Sequence, residues 1–337
     1  MPRIGRLHLP GGFYHVIGRG LERRYIFEAD ADKRDFLKRF GEGLIRVDAR
    51  CLAWALMSNH YHFLIQVSDK PLSKLMASAL GGFASSYNRR HGRCGYVFQN
   101  RYQSILIDAD IYFIELVRYI HLNPIRAKMV TDVNALSSYA WTGHAGMLGR
   151  HKQDWHSVEA TLDYFGNDNT RAKSNYIDFL SNADTKSNKP ILSGGGLIRS
   201  HGGWQGLNQR RKEHIACIGD ERILGSSRFV ENALQQDELS TEYSLGLKQR
   251  GWDLDRLAEW VCKDTAINQK QLVSKARGGE LSKAKSILCY LGSKELGLSL
   301  RDIANYLSIS QPSVSAWVKK GELLCTNERL SLKQDNH

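Results

Sequence analysis

The chain has 337 residues, 42% hydrophobic and 24% charged, the composition of an ordinary globular protein long enough for two domains. Lys and Arg number 47 against 35 Asp and Glu, a formal charge of +12 at pH 7, which favours a polyanionic partner, nucleic acid before an anionic membrane surface. No apolar run is long enough to span a bilayer and no secretory leader opens the chain, so the expectation is a cytoplasmic protein without a membrane partner. The cysteines at 51, 94, 217, 262, 289 and 325 have no C-x-x-C spacing and read as buried reduced thiols rather than a zinc site. Residues 1–150 carry 21 Lys and Arg against 12 Asp and Glu, 21 − 12 = +9, so the first half is expected to meet the phosphates.

In chain order, Phe13 to Ile17 reads as a strand after a Gly-Gly turn, and Asp32 to Val47 has apolar residues at helical spacing. Cys51 to Met57 and His60 to Val67 read as two strands joined by the turn Ser58-Asn59. Pro71 opens a helix to about His91, with Leu72, Leu75, Met76, Ala79, Leu80 and Phe83 as one stripe. A Gly- and Arg-rich loop follows from Arg89 to Arg101, then a strand from Gln103 to Ile107. The next helix, capped by Asp108 or Asp110, runs to about Leu122, where Pro124 stops it. This order predicts an α+β domain over 1–142, a ferredoxin-like antiparallel sheet with helices on one face. Gly, Ser, Asn and Lys then mark 143–235 as a connecting region with short helices, and helical patterns fill 236–337.

His60-Tyr61-His62 places two imidazoles on one face of a strand and Tyr61 on the other, toward the core. Two imidazoles one strand period apart can share a metal, although two ordinary strand histidines would have the same spacing. Further on, Tyr119 and Asn123 stand at i and i+4. A phenol there can attack phosphorus while an amide oxygen one turn away completes a metal shell. The plainer alternatives are a partly buried aromatic and a helix-terminal Asn before Pro.

Three linked segments carry a family resemblance: Met57-Ser58-Asn59-His60-Tyr61-His62-Phe63-Leu64-Ile65, Phe98-Gln99-Asn100-Arg101-Tyr102-Gln103-Ser104, and Tyr119-Ile120-His121-Leu122-Asn123-Pro124-Ile125-Arg126-Ala127. In order and spacing, over roughly residues 5–142, the chain resembles the REP-associated tyrosine transposases of the single-tyrosine HUH superfamily. The resemblance implies the HUH fold, with His60, His62 and Asn123 as ligands of a divalent ion, Mg2+ or Mn2+. It implies Tyr119 as a nucleophile that becomes linked to a 5′ phosphate, and single-stranded or hairpin (palindromic) DNA as substrate. Other branches of the superfamily have Gln where this chain has Asn123. The resemblance implies a monomer or a homodimer, and either mobilisation of a repeated element or domesticated processing of chromosomal palindromes.

For the DNA path, Arg89, Arg90 and Arg93 beside Tyr87, then Arg101 and Tyr102, combine cations for the backbone with aromatics for stacking. In the second half, residues 282–321 read as a helix-turn-helix. Ser299 caps one helix, Pro312 sits near the start of the next, and Gln311, Ser313, Ser315, Lys319 and Lys320 are expected outward, toward duplex DNA. This stretch resembles the DNA-binding domain of the chromosomal replication initiator. Two further readings stand beside the transferase: a non-catalytic regulator using the helix-turn-helix, and a metal phosphodiesterase that activates water.

Overall fold

The computed structural model describes residues 6–182, 218–274, 276, 278–328 and 330–332. It divides into two compact units, Met1–Gln235 and Gln236–His337.

The first unit is built on a five-stranded sheet of order β2-β3-β1-β4-β5, with β1 Phe13–Arg19, β2 Arg50–Leu56, β3 His60–Gln66, β4 Gln103–Ile107 and β5 Ile223–Leu224. The first four strands pair antiparallel, and β5 adds a parallel edge. The expected class, α+β with an all-helical C-terminal part, holds. Two details differ from the expectation. The edge strand comes from the Asp220–Ser227 stretch, whose Arg222 and Leu224 carbonyls accept from the amides of Leu106 and Asp108. The helices also cover both faces rather than one.

The reason for two covered faces is the strand composition. Tyr14, Val16, Trp54, Leu56, Tyr61, Phe63, Ile65 and Leu106 point to one side, where they bury α1 (Asp30–Val47) and α2 (Leu72–Arg90). Ala53, Ala55, Leu64, Ile105 and Ile107 point to the other, against α3 (Ala109–His121). Both faces are apolar, so both need a layer. Tyr61 is buried on the α1–α2 side, as expected. Opposite it stands Gly18, where a Cβ would lie 2.2 Å from the Tyr61 hydroxyl oxygen, so the bulky ring and the glycine are a matched pair.

The connecting region from 143 packs onto the first unit as far as residue 182. Met147, Leu162, Ala172, Tyr176 and Leu180 complete the core over α3. The Ser- and Gly-rich stretch at 183–217 lies outside the described residues.

The second unit packs helices Leu254–Thr265, Gly279–Lys294, Leu300–Tyr306 and Gln311–Glu328 around Leu257, Ile287, Leu288, Leu291, Ile303, Leu307 and Val314. Ser299 caps Leu300–Tyr306 by accepting from the Asp302 amide. A turn with Ser308 in the left-handed region (φ 52°) leads to Gln311. Gly321 allows the last helix to touch the backbone of Gly279–Lys294, since a Cβ there would sit 2.0 Å from the Ser286 carbonyl oxygen.

Among the described residues the thiols are not uniformly buried: Cys51, Cys289 and Cys325 are, whereas Cys94 is exposed and Cys262 half-buried; Cys217 lies outside the described residues.

Candidate active site

The site lies on the α3 face, at the end of the sheet where β3 begins. Antiparallel register sets Ile17 opposite His62 and Arg19 opposite His60, so His15, Ile17, Arg19, His60 and His62 share that face. The two histidine rings stand 5.2 Å apart, nearly perpendicular. His62 is buried and His60 partly so. Burial, then the charge of Arg19, pushes His60 down to about 4. Burial, then His15 and His60, holds His62 well below the usual imidazole range. Both rings are therefore neutral at pH 7, the form in which imidazole binds a metal.

Each ring is also oriented. The Nδ1 of His62 is 2.8 Å from the Nε2 of His15, and the two rings are stacked. The Nδ1 of His60 is 2.7 Å from the side-chain oxygen of Asn59, which accepts. With Nδ1 engaged on both, Nε2 is the ring nitrogen of each left open to a ligand. His15 and Asn59 escaped the sequence reading because their role appears only once β1 and β3 are in register and the turn is folded.

Tyr119, near the end of α3, is half-buried, with its ring edge-on to His62 at 5.7 Å and to His15 at 6.0 Å. Helix α3 stops at His121, and Asn123 opens a further turn, Asn123–Arg126, with Pro124 at its start. The Asn123 amide nitrogen donates to the Tyr119 carbonyl at 2.9 Å, which leaves its side-chain oxygen free of that bond. Among the described residues no group of three His, Cys, Asp or Glu is placed to hold a metal ion. Arg126 lies over the Tyr119 ring at 5.0 Å. Burial raises the Tyr119 phenol, while the Arg126 charge, an Asn123 hydrogen bond and the Arg19 charge pull it back only in part.

The basic loop is put together differently from the expectation. Arg89 and Arg101 are exposed, and Arg93 reaches over the Tyr87 ring at 5.7 Å. Arg90 is not a free cation: its guanidinium pairs with buried Asp32 and with Asp35. Asp32 also receives His91 and the amides of Glu28 and Ala29, so an acid buried at the start of α1 claims the arginine. Tyr102 is buried too, with Arg6 stacked 4.0 Å over its ring, because strand alternation turns it with Leu106 toward the α1–α2 side. Neither Tyr102 nor fully buried Tyr87 presents a face for stacking. In the second unit Gln311, Lys319 and Lys320 are exposed, Ser313 and Ser315 half-buried; the Lys320 ammonium donates to Ser282.

Residues 11–123 match the family model described as "Transposase IS200 like". This stretch is similar to an IS200-like transposase domain. It contains all four strands of the antiparallel sheet and ends at Asn123, so the family match and the site coincide. A solved REP-associated tyrosine transposase bound to a REP hairpin is similar at 16% identity and a TM-score of 0.37, over 47% of this chain and 93% of that one. The chromosomal replication initiator protein DnaA of Pseudothermotoga lettingae is 29% identical over 127 residues, 38% of this chain and 28% of its own length. This chain thus spans under a third of that relative. Among the described residues no helix is long and apolar enough to cross a membrane.

Proposed function

We propose that the transposase domain cuts and rejoins single-stranded, hairpin-forming DNA through a covalent 5′-phosphotyrosine at Tyr119. The observation that carries this reading is the placement of the Tyr119 ring edge-on to His62 at 5.7 Å, with Asn123 one turn away.

A divalent ion bound by His60, His62 and Asn123, Mg2+ or Mn2+, would polarise the non-bridging phosphate oxygens and help the phenol ionise. The remaining work falls to the chain. His15 and Asn59 hold the imidazoles in their ligating orientation. Arg126 and Arg19 place positive charge beside the phenol, where negative charge develops on phosphoryl oxygens. The phenol oxygen forms a bond to phosphorus as the bond from phosphorus to the 3′ oxygen breaks, and the phenol's proton is balanced by the one the 3′ hydroxyl gains. The phosphotyrosine conserves the ester, so attack by a 3′ hydroxyl restores a phosphodiester and the free tyrosine without a nucleotide cofactor. The helical C-terminal unit, with Gln311, Lys319 and Lys320 exposed, is proposed to bind duplex DNA. Whether the enzyme serves a mobile element or processes chromosomal palindromes, the chemistry is the same.

The test is incubation of a labelled single-stranded hairpin oligonucleotide with Mn2+ or Mg2+, followed by a denaturing gel. A covalent protein–DNA band, lost in Tyr119→Phe with binding retained, is expected. Free cut product without the band would assign the site to a water-using phosphodiesterase. Neither product would leave the chain a DNA-binding regulator.

A further inference from the structure

The expected stacking aromatics are buried, yet the two most exposed tyrosine rings among the described residues stand on loops tied to the turn before His60. Tyr25 is 61% exposed and Tyr96 is 84% exposed. Exposed tyrosine rings offer planar apolar faces that a partner can cover.

Backbone hydrogen bonds sew their loops to the end of β3. The amide of Gly20 donates to the carbonyl of Asn59, next to His60, and the amide of Leu21 donates to the carbonyl of Val97. The Asn59 side chain, which orients His60 through its oxygen, donates through its nitrogen to the Arg23 carbonyl. The loop after β1, the turn before β3 and the loop before β4 therefore form one rim beside the candidate metal ligand His60.

On this rim both tyrosines have anchored backbones. Tyr25's carbonyl accepts from the Tyr87 hydroxyl at 3.1 Å, and the next amide, of Ile26, donates to Ser58 at 2.9 Å. Tyr96 is flanked by Gly95, whose carbonyl accepts from the Asn88 side chain, and by Val97, whose carbonyl accepts from Leu21. Rings fixed at the backbone and exposed at the face lose little conformational entropy when a planar ligand covers them. Arg23, Arg24, Arg93 and Arg101 lie on the same loops. Glu22 pairs with Arg24, and the stretch from Gly92 to Arg101 contains no Asp or Glu. Planar faces set among cations suit unpaired nucleobases on a phosphate backbone.

The geometry points to Tyr25 and Tyr96 as stacking platforms for unpaired bases flanking the phosphate that Tyr119 attacks. This rests on the single-stranded DNA substrate proposed above and deepens it by naming the surface that tells single strand from duplex. Paired bases are already stacked on their neighbours and offer no free face.

The experiment is fluorescence anisotropy of the full chain, without metal, on a labelled oligo(dT) of twelve nucleotides and on a blunt duplex of mixed sequence. Tyr25→Ala and Tyr96→Ala are each expected to weaken oligo(dT) binding about tenfold, leave duplex affinity unchanged, and be restored by Tyr25→Phe and Tyr96→Phe. Thermal melts of the same proteins check that the fold is kept. Unchanged oligo(dT) affinity in both Ala variants, equal losses on single strand and duplex, or Phe variants as weak as Ala would each overturn the assignment. Those outcomes leave the Tyr119 adduct assay untouched. Failure of the wild-type chain to bind oligo(dT) or a hairpin would overturn both readings.

Discussion

The imidazole of His15 on β1 meets that of His62 on β3, Nε2 to Nδ1 at 2.8 Å, with ring centres 5.0 Å apart. It is buried and makes this contact across the strand boundary, so its position fixes which nitrogen of His62 faces the site. His15→Ala is expected to weaken Mn2+ binding by about 10- to 100-fold, the usual effect of losing an outer-shell partner. Titration calorimetry of Mn2+ into the two proteins measures it; equal affinities would show that His62 needs no such support.

Asp32 gives an acid limb to stability. Burial pushes its carboxyl up, but hydrogen bonds from His91, Ala29 and Arg90 outweigh burial and hold it below the ordinary carboxylate value. The folded form thus keeps Asp32 ionised at pH values where the unfolded chain has begun to protonate it. Its contribution is complete above the ordinary value and is lost as pH falls through the depressed one. Asp32→Asn should cost about 2–3 kcal/mol at pH 7 and flatten that part of the stability profile. Denaturant melts at neutral and acid pH test this; parallel profiles for both proteins would remove Asp32 as the source.

The arginines of the basic loop should separate into two classes. Arg89 and Arg101 are exposed, whereas Arg90 is spent on Asp32 and Asp35. Arg89→Ala and Arg101→Ala are expected to weaken oligonucleotide binding and reduce its salt slope by about 1 each, with melting temperature unchanged. Arg90→Ala should lower the melting temperature first. Anisotropy at several salt concentrations, with melts alongside, decides; an identical response in all three would contradict the division.

The helix that carries Tyr119 is tied to the segment after it. The Tyr176 hydroxyl is 2.8 Å from His121 Nδ1 and 2.7 Å from His144 Nδ1, all three side chains being buried. Tyr176→Phe strands a buried nitrogen on each imidazole, at a cost of about 1–3 kcal/mol. Adduct formation should also slow, since α3 loses an anchor two residues from Tyr119, the proposed nucleophile. A melt unchanged from wild type would count against a buried network.

Much of the first unit was legible in the chain itself. Alternating and helical spacings are local, so β1 to β4 and α1 to α3 could be located from sequence, with His60 and His62 on one face and Tyr61 in the core. Nothing local marked Ile223–Leu224 as a strand, since a two-residue edge is created by its partner β4. The outer partners His15 and Asn59 depend on register and turn geometry. The sorting of the aromatics likewise depended on which side of the sheet each loop residue finally faced. Residue type and spacing determine which groups are present; long-range packing decides which are buried, paired or exposed, because water is excluded by the whole fold and not by any one segment.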